Sequence, residues 1–569
     1  MKAFLFRFLF LLFFAIGFFC FSVSLFNPIL EATSLIIPYS LSPFDICTKF
    51  PTFWYYSKRI YLLLCILSGI ILGNSLYYIF FNKINFNKIS KPLPPKNKLF
   101  LFVGNNAESK SPIFLVEKSL YQNILVTGTT GCGKTSSAMY PFCKQLIEYN
   151  CLDPNKKIGM LILDVKGNFY KQVLKFAKDS LREDDIVLLE LGGLISYNPL
   201  DKPDLKPSVL AERLKTILLL FSPNNSDSYW LDKASQILTE CIKLCRLYNE
   251  NYVTFVEIHK LIFFSNYFYE KINYLRSLFQ KNVFNDEQCF DLLSAIEFFE
   301  TEFNNLDPRV LSIVKSEISR ITSMFVSDYS VQKIFCPNKK KCTFTGFSSV
   351  LHEGKIVVLN MNLAKYQNLS RFIAAYLKLD FQAEVLSSLE KNVATRTTAF
   401  ICDEFHEFVT ASDSNFFAQS REAKCINIVA TQSYSSLLNT LKDATCVRVL
   451  VQNLVNKLWY RTDDTFTIED IQKLLGKEDK EKTSYSISEN AKETNFHYIT
   501  QRFHSLGSNL SESIQTYTQN DFIFDSRFFS QELPTFSCLA FLSDGDIIIP
   551  PCKVQMKPYF QFNLDERNF

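Results

Sequence analysis

A glycine-rich octapeptide at residues 128–135, Gly-Thr-Thr-Gly-Cys-Gly-Lys-Thr, matches the pattern G-x-x-x-x-G-K-[ST]. It follows a short apolar run, residues 122–127, and precedes a helical pattern that begins at Ser136. Glycines let backbone N–H groups wrap phosphates, and the helix directs its positive amino end at them. We therefore predict that this loop binds a nucleotide, with Lys134 on the β- and γ-phosphates and Thr135 on Mg²⁺. The predicted nucleotide-binding residues are Gly128, Thr129, Thr130, Gly131, Cys132, Gly133, Lys134, Thr135 and Ser136.

Hydrolysis also needs carboxylates near the phosphates, and two apolar runs end in acidic residues. One ends in Asp164 with no carboxylate beside it, whereas the other ends in the pair Asp403 and Glu404. The first acid of such a pair holds the Mg²⁺ shell, and the second orients or deprotonates the attacking water. We therefore predict Asp403 as a metal ligand together with Thr135, and Glu404 as the catalytic base. For Asp164 an ordinary strand end is an equally good interpretation.

Two polar residues beyond the acidic pair complete the predicted catalytic set. Gln432 ends the next apolar run, so its amide is expected at the tip of the strand beside the catalytic one, where it can sense the γ-phosphate. Arg421 lies on the helical stretch between the two runs and is a candidate arginine finger for the nucleotide of a neighbouring subunit. A solvated helix arginine explains Arg421 equally well.

The elements that must position these residues are visible as strand-like apolar runs, mostly separated by helical stretches. The runs cover residues 122–127, 159–164, 185–190, 355–361, 398–403, 426–431 and 457–461. This alternation predicts a doubly wound, mainly parallel α/β sheet. Ligands of such sheets bind outside the carboxyl ends of the strands, which is where the glycine-rich loop and the acidic pair occur in the sequence.

Residues 205–335 interrupt the alternation with long amphipathic helical patterns, which we interpret as an all-α insertion domain. From about residue 476 the chain is polar and rich in Ser and Thr, which is typical of a hairpin or a partly disordered segment. The predicted order of domains is a transmembrane anchor at 1–82, a linker at 83–98, the first part of the nucleotide-binding domain at 99–204, the insertion at 205–335, the second part at 336–475, and C-terminal strands and tail at 476–569.

The predicted anchor consists of two uncharged runs, residues 8–26 and 60–81. Each is long enough to cross a hydrocarbon core of about 30 Å as a helix. Several lysines follow the second run, so the large C-terminal part is expected in the cytoplasm. A cleaved signal peptide is the alternative for the first run, but its apolar stretch is longer than the usual hydrophobic region of such peptides.

Composition sets only broad limits on function. Hydrophobic residues make up 47% of the chain and charged residues 21%, which fits a soluble domain with a membrane segment and excludes a disordered chain. A formal net charge of +4 does not indicate a nucleic-acid partner, because that footprint requires clustered Lys and Arg. The best basic run, residues 339–341, is either a solvated loop or a pore loop that contacts backbone phosphates. Most of the 16 cysteines lie in the part expected in the cytosol, and we interpret them as reduced thiols.

Taken in order, these landmarks resemble the type IV secretion coupling proteins, the TraG/TraD-like conjugation ATPases, over residues 1–545. The landmarks are the two-helix N-terminus, the loop at 128–135, Asp-Val-Lys-Gly at 164–167, Tyr-Asn-Pro-Leu at 197–200, Ser-Tyr-Trp at 228–230, Gly-Lys-Ile-Val-Val-Leu at 354–359, the pair at 403–404, and the spacing from Arg421 to Gln432. The segment at Arg421 is Ser-Arg-Glu, which is less basic than in the family. The tail after residue 545 shows no such resemblance.

The resemblance implies a RecA-like P-loop NTPase that uses ATP and Mg²⁺ and assembles as a homo-hexamer. It further implies an all-α domain that selects cargo, and a location in the bacterial inner membrane with the C-terminal domain in the cytoplasm. The implied partners are single-stranded DNA with its relaxase, or protein effectors, and the subunits of the secretion channel.

Two other readings of the same core stay open at this point. A septal chromosome translocase or a protein-export motor shares the nucleotide motifs, although the septal enzyme usually carries four membrane helices and a C-terminal winged helix, neither of which the pattern indicates. A membrane receptor that binds ATP without hydrolysis is disfavoured by Glu404, because binding alone does not need that carboxylate.

Overall fold

The computed structural model describes residues 98–561, except 165, 222–227, 391–395, 491–494, 498–501 and 505–508, together with scattered residues between 52 and 72. The chain divides into two units, Met1–Leu93 and Pro94–Phe569. The first predicted membrane helix, 8–26, lies outside the described residues, and only part of the second, 60–81, lies within them. In the described ranges no helix has the length and apolar character needed to span a bilayer.

The strands and helices of the second unit have the following bounds. The strands are β1 (Phe100–Asn106), β2 (Pro112–Val116), β3 (Ile124–Thr127), β4 (Gly159–Leu163), β5 (Ile186–Glu190), β6 (Ile356–Asn360), β7 (Thr398–Cys402), β8 (Cys425–Thr431), β9 (Asn456–Tyr460), β10 (Lys477–Asn490), β11 (Asn495–His497), β12 (Arg502–His504), β13 (Asn509–Phe522), β14 (Ser537–Phe541) and β15 (Cys552–Gln555). The helices are α1 (Glu117–Leu120), α2 (Tyr140–Glu148), α3 (Phe169–Asp179), α4 (Pro207–Phe221), α5 (Ser228–Tyr248), α6 (Phe255–Phe263), α7 (Ser265–Gln280), α8 (Asp286–Glu297), α9 (Pro308–Val326), α10 (Tyr329–Phe335), α11 (Ser348–Glu353), α12 (Leu363–Glu390), α13 (Asp413–Gln419), α14 (Tyr434–Leu441), α15 (Ala444–Gln452) and α16 (Thr465–Leu475).

One sheet of 11 strands carries the nucleotide motifs, in the order β2-β1-β15-β14-β9-β3-β8-β7-β4-β6-β5. The strands from β9 to β5 in this order all pair in parallel. They coincide with the apolar runs of the sequence, so the prediction of a mainly parallel α/β sheet is confirmed. Continuous apolar strands fit this position because parallel strands are buried on both faces.

The side chains of β3 show why both faces are covered. Leu125 packs into a core on one face of the sheet, whereas Ile124 and Val126 pack into a separate core on the other. Successive residues of a strand point to opposite faces, so an uninterrupted apolar strand feeds two cores. Helices therefore cover the sheet from both sides, as a doubly wound arrangement requires.

The antiparallel side of the sheet was not predicted from the sequence. β14 pairs antiparallel with β9. Beyond β14, the strands β15, β1 and β2 follow in this order, and each pairs antiparallel with the strand before it. The C-terminal strands therefore belong to the same sheet as the nucleotide strands. This pairing joins Cys538 to Tyr460 and Val554 to Asn106, which are distant in the chain, and no local pattern indicates it.

Between β5 and β6 the described residues are mainly helical, from α4 to α11. Thr254 caps the start of α6 by accepting the N–H of Glu257 at 3.2 Å. The ring of Phe255 in this helix stacks on Phe325 of α9 with centroids 4.3 Å apart. These helices include the range predicted for the insertion domain, 205–335, whose boundaries remain a prediction.

A long two-stranded ribbon occupies the segment for which the sequence left open a hairpin or partial disorder. β10 and β13 pair antiparallel along their whole length, from Lys477 opposite Phe522 to Asn490 opposite Asn509. The described side chains of the ribbon are largely exposed. The end of the predicted tail, 562–569, lies outside the described residues.

Candidate nucleotide-binding site

The glycine-rich loop follows β3, which is buried along its length and lies between β8 and β9. Thr127 at the end of β3 is opposite Thr431 of β8 and Trp459 of β9. The loop leaves β3 at Gly128, whose N–H donates to the carbonyl of Thr431 at 3.4 Å, and a helical turn begins at Thr135. The strand, loop and helix therefore occur in the order that a phosphate-binding loop requires.

The glycines of the loop are required for two different reasons. Gly131 and Gly133 have φ angles of 82° and 98°, which lie in the left-handed region that favours glycine. At Gly128 a Cβ atom would lie 2.6 Å from Cβ of Tyr460 and 2.9 Å from Sγ of Cys132, so no side chain fits. The loop can therefore turn tightly and pack closely only with glycine at these positions.

The last two residues of the loop make its principal contacts. The buried ammonium of Lys134 donates a hydrogen bond to the carbonyl of Gly128, across the loop. The hydroxyl of Thr135 donates to Oδ2 of Asp403 at 2.8 Å. The two residues predicted to hold Mg²⁺ are thus in direct contact, although 268 positions separate them in the chain.

Asp403 follows β7, which lies two places from β3 in the sheet. Its N–H donates to the carbonyl of Leu163 at 3.1 Å, which fixes the backbone at the end of the strand. Burial and the negative charge of Glu404 raise the pKa of Asp403 to about 6, although the hydrogen bond from Thr135 opposes them. The charged form would be favoured by a cation at this position.

Glu404 has an unusual backbone conformation and a buried side chain. Its φ angle is 51°, and left-handed residues other than glycine are uncommon and cluster at functional sites. Oε1 accepts a hydrogen bond from Nζ of Lys166 at 3.2 Å. Oε2 is buried and has no hydrogen-bond partner in the part of the chain that the structure describes, and the nearby Nδ1 of His406 lies 3.8 Å from it.

Asp164 uses both carboxylate oxygens to accept hydrogen bonds from backbone N–H groups. Its Oδ1 accepts the N–H of Lys166 at 3.0 Å, and its Oδ2 accepts the N–H groups of Asn168 at 2.9 Å and Phe169 at 3.0 Å. These bonds tie the turn after β4 to the start of α3, where Asn168 is the N-cap residue, and they satisfy backbone donors that the helix leaves unpaired. Of the two interpretations that the sequence allowed, the structure favours the strand end and turn.

Gln432 directly follows β8. This strand lies between β3, which leads into the glycine-rich loop, and β7, which leads into the acidic pair. Since these strands are parallel, Gln432 lies at the same edge of the sheet as Gly128 and Asp403. Its side chain is half-buried. The predicted location at the strand tip agrees with this arrangement, and the sensing role stays a prediction.

Arg421 lies elsewhere. The helix α13 ends at Gln419, so Arg421 occupies the turn that follows rather than the helix, and its side chain is exposed. The turn forms because the N–H of Cys425 bonds to the carbonyl of Ser420 at 3.0 Å and leads the chain into β8. Arg421 therefore precedes β8, at the edge where the parallel strands begin and away from the loop of its own subunit.

Two residues that the sequence did not single out contact the glycine-rich loop. The carbonyl of Arg461, which follows β9, accepts hydrogen bonds from the N–H and the hydroxyl of Thr129 at 2.9 and 3.1 Å. The N–H of Phe536, which precedes β14, donates to the carbonyl of Cys132 at 3.1 Å. Neither residue belongs to a motif, and their location depends on the pairing of β9 with β3 and β14.

The sheet is mostly parallel, with a P-loop after β3 and an acidic pair after β7, and one strand, β8, lies between these two. This arrangement defines the fold as that of a RecA-like P-loop NTPase. Residues 397–516 match the family model TraG-D_C, described as the TraM recognition site of TraD and TraG. No match to the chain was found among curated protein sequences.

Solved structures of the plasmid coupling protein TrwB share this fold. TrwB in complex with ADP and Mg²⁺ is 14% identical with a TM-score of 0.53, covering 81% of this chain and 90% of that one. TrwB with the GTP analogue GDPNP is 13% identical with a TM-score of 0.53, covering 80% and 89%. The trigonal form of the bacterial conjugative coupling protein TrwB in complex with sulphate is 14% identical with a TM-score of 0.52, covering 82% of this chain and 95% of that one. The resemblance to type IV coupling proteins of the TraG/TraD family is therefore confirmed.

Proposed function

We propose that this protein is a Mg²⁺-dependent ATP hydrolase whose site consists of residues 128–136, Asp403 and Glu404. The observation that carries the proposal is the hydrogen bond of 2.8 Å from the Thr135 hydroxyl to Asp403. It brings the end of the phosphate-binding loop to the carboxylates that hydrolysis requires. TrwB, which is similar in fold, has been solved with ADP and Mg²⁺ and with analogues of ATP and GTP, and this supports a nucleoside triphosphate as substrate.

Thr135 and Asp403 are the residues that would hold Mg²⁺. Two protein oxygens fit this ion, because Mg²⁺ in nucleotide sites takes one or two carboxylates and completes its shell with phosphate oxygens and water. When bound, it would offset the negative charge that develops on the phosphate oxygens during hydrolysis. The raised pKa of the buried Asp403 also fits, since its charged form is unfavourable until a cation is present.

Glu404 is the residue that would act on the attacking water. Its side chain is only 7% exposed, and Oε2 has no hydrogen-bond partner among the described residues, so this oxygen can accept a proton from water. The water oxygen bonds to the terminal phosphorus while the bond from that phosphorus to the bridging oxygen breaks and ADP leaves. Gln432, at the tip of the intervening strand, would respond to the loss of the phosphate.

Arg421 is proposed to act on the nucleotide of a neighbouring subunit in a homo-hexamer. It is exposed and lies at the edge of the sheet away from its own P-loop. A charged side chain in that location is available to an adjacent subunit, where it would stabilise charge in the transition state.

The proposed use of this hydrolysis is to recruit and move single-stranded DNA or nucleoprotein into a type IV secretion channel during conjugation. The support is the match of residues 397–516 to the TraM recognition site of TraD and TraG, together with the similarity in fold to TrwB. The proposed partners are DNA with its relaxase or protein effectors, and the channel subunits. The proposed location is the bacterial inner membrane, through the two apolar runs before residue 82, with the C-terminal domain in the cytoplasm.

The test is phosphate release from ATP by the full-length protein in detergent, with and without single-stranded DNA, at low and moderate salt. Stimulation that fades with salt supports a DNA motor, because salt weakens contacts to backbone phosphates. Stimulation by double-stranded DNA instead would favour septal-type translocation, and indifference to DNA would favour export of protein effectors. Absence of hydrolysis under conditions that assemble a ring would contradict the ATPase itself.

A further inference from the structure

Lys166 is held firmly at its backbone, immediately beyond β4. Its N–H donates to Oδ1 of Asp164 at 3.0 Å, and its carbonyl accepts a hydrogen bond from Nδ2 of Asn362 at 2.7 Å. Gly167, the next residue, has a φ of 66°, and its α-carbon packs so closely that a Cβ would lie 3.1 Å from Cβ of Asn362. β4 is the neighbour of β7, so the start of this side chain is fixed beside the acidic pair.

The ammonium of Lys166, unlike its backbone, lies at the protein surface beside Glu404. Nζ lies 3.2 Å from Oε1 of Glu404, yet the lysine side chain is 53% exposed while that of Glu404 is 7% exposed. Lys134, in contrast, is buried and donates to a carbonyl within its own loop. Lys166 thus presents a solvent-accessible ammonium on a flexible stem, next to the carboxylate that would activate water.

The charges around this ammonium keep it protonated. Burial lowers the pKa of Lys166, but the nearby carboxylates of Asp403, Glu404 and Asp164 outweigh that effect and raise it. A lysine ammonium binds phosphate as a point charge. The terminal phosphate of a bound nucleotide would therefore compete with Glu404 for this lysine.

We propose that Lys166 is a positioning residue that holds Glu404 in the nucleotide-free protein and exchanges this carboxylate for the terminal phosphate when ATP binds. The inference rests on the proposed nucleotide site. Once the ammonium leaves Oε1, the carboxylate of Glu404 is free to turn toward the attacking water, so this residue acts only when a triphosphate is present. ADP, which lacks the terminal phosphate, leaves the ion pair in place.

A purely structural ion pair makes a different prediction. If Lys166 only offsets the buried charge of Glu404, its loss alters the site regardless of which nucleotide binds, and ADP and ATP are affected alike. The proposed exchange affects only the binding of the triphosphate. Affinities for ADP and for a non-hydrolysable ATP analogue therefore distinguish the exchange from a purely structural ion pair.

The experiment measures equilibrium binding of Mg²⁺-ADP and of a Mg²⁺-bound non-hydrolysable ATP analogue to the full-length protein. The variants are Lys166→Met, Lys166→Arg and the control Lys175→Met, which removes an exposed lysine from α3. For Lys166→Met we expect affinity for the analogue to fall about tenfold and affinity for ADP to change by less than about twofold. Lys166→Arg should restore most of the loss, because arginine also binds phosphate, and Lys175→Met should change neither affinity.

A second variant tests the exchange through its partner. In Glu404→Gln, Lys166 has no ion pair to break before it binds the terminal phosphate, so the analogue should bind more tightly than to the wild type. Adding Lys166→Met to this variant should remove the gain in affinity. Equal weakening of ADP and analogue in Lys166→Met, or no change in either, would overturn the exchange while leaving the nucleotide site intact. Failure of the wild type to bind any nucleotide would instead overturn the proposed function on which the exchange depends.

Discussion

Lys378 and Asp413 form an ion pair in which both side chains are completely buried. The lysine belongs to α12, and the aspartate begins α13, shortly after the acidic pair. The ammonium also donates to the carbonyl of Phe408 at 2.6 Å and to the hydroxyl of Thr410 at 3.1 Å. The pair therefore anchors the segment between the acidic pair, Asp403 and Glu404, and α13 to a long helix.

Breaking this pair from one side should destabilise the protein strongly. In Lys378→Met the carboxylate of Asp413 stays buried without its cation, and we expect a loss of about 3–5 kcal/mol in the free energy of unfolding. The measurement is urea-induced unfolding of the full-length protein. Lys473→Met is the matched control, because Lys473 pairs with Glu469 where both side chains are 63% exposed, and exposed pairs contribute only about 0–1 kcal/mol. Similar losses in the two variants would contradict the anchoring role.

Glu404→Gln should abolish hydrolysis while nucleotide stays bound. Glutamine keeps the size of the side chain but cannot accept a proton, and loss of a general base lowers kcat by about 10²–10⁴-fold. The measurement is phosphate release, combined with binding of a non-hydrolysable ATP analogue. Glu422→Gln, an exposed residue in the turn before β8, serves as the control and should hydrolyse ATP at the wild-type rate. Retained turnover in Glu404→Gln would rule out this residue as the base.

Lys134→Ala should lose turnover for a different reason. The lysine is buried within the P-loop, where it would contact the phosphates directly, so its removal should weaken binding of ATP as well as hydrolysis. Fluorescence titration with a labelled ATP analogue measures the affinity. Binding at the wild-type affinity would show that the loop does not hold the phosphates as proposed.

The raised pKa of Asp403 makes the stability of the nucleotide-free protein depend on pH. Because the pKa is raised to about 6 in the folded state, against about 3.9 unfolded, the folded state binds the proton more tightly and stability falls as pH rises from about 4 to 6. Asp403→Asn removes this dependence, so the variant should gain stability relative to the wild type as pH rises through this range. Unfolding of both proteins in urea at several pH values measures the difference, and a difference independent of pH would contradict the shift.

Arg421 should act between subunits. Arg421→Ala is expected to hydrolyse ATP poorly while binding it normally, since the arginine is remote from the P-loop of its own subunit. Mixing Arg421→Ala with Glu404→Gln should recover part of the activity, because an intact site of the first variant can receive the arginine of the second. Each variant alone is the control, and a mixture no more active than its components would exclude a role in trans.

The mainly parallel α/β fold and the candidate nucleotide site could both be predicted from the amino-acid sequence. The proposed site residues form two short continuous segments, 128–136 and 403–404. Each segment is recognisable in the sequence because nucleotide binding and hydrolysis need adjacent groups. The parallel strands were equally visible, since a strand buried on both faces must be apolar throughout.

Which distant residues come into contact depends on the tertiary structure. The contact of Thr135 with Asp403 depends on β8 lying between β3 and β7, and the contacts of Arg461 and Phe536 with the P-loop depend on β9 and β14 extending the same sheet. The hydrogen bonds of Asp164 to backbone N–H groups and the location of Arg421 in a turn also depend on the folded chain. These features arise from packing between segments far apart in the chain, and local periodicity carries no record of which segments become neighbours.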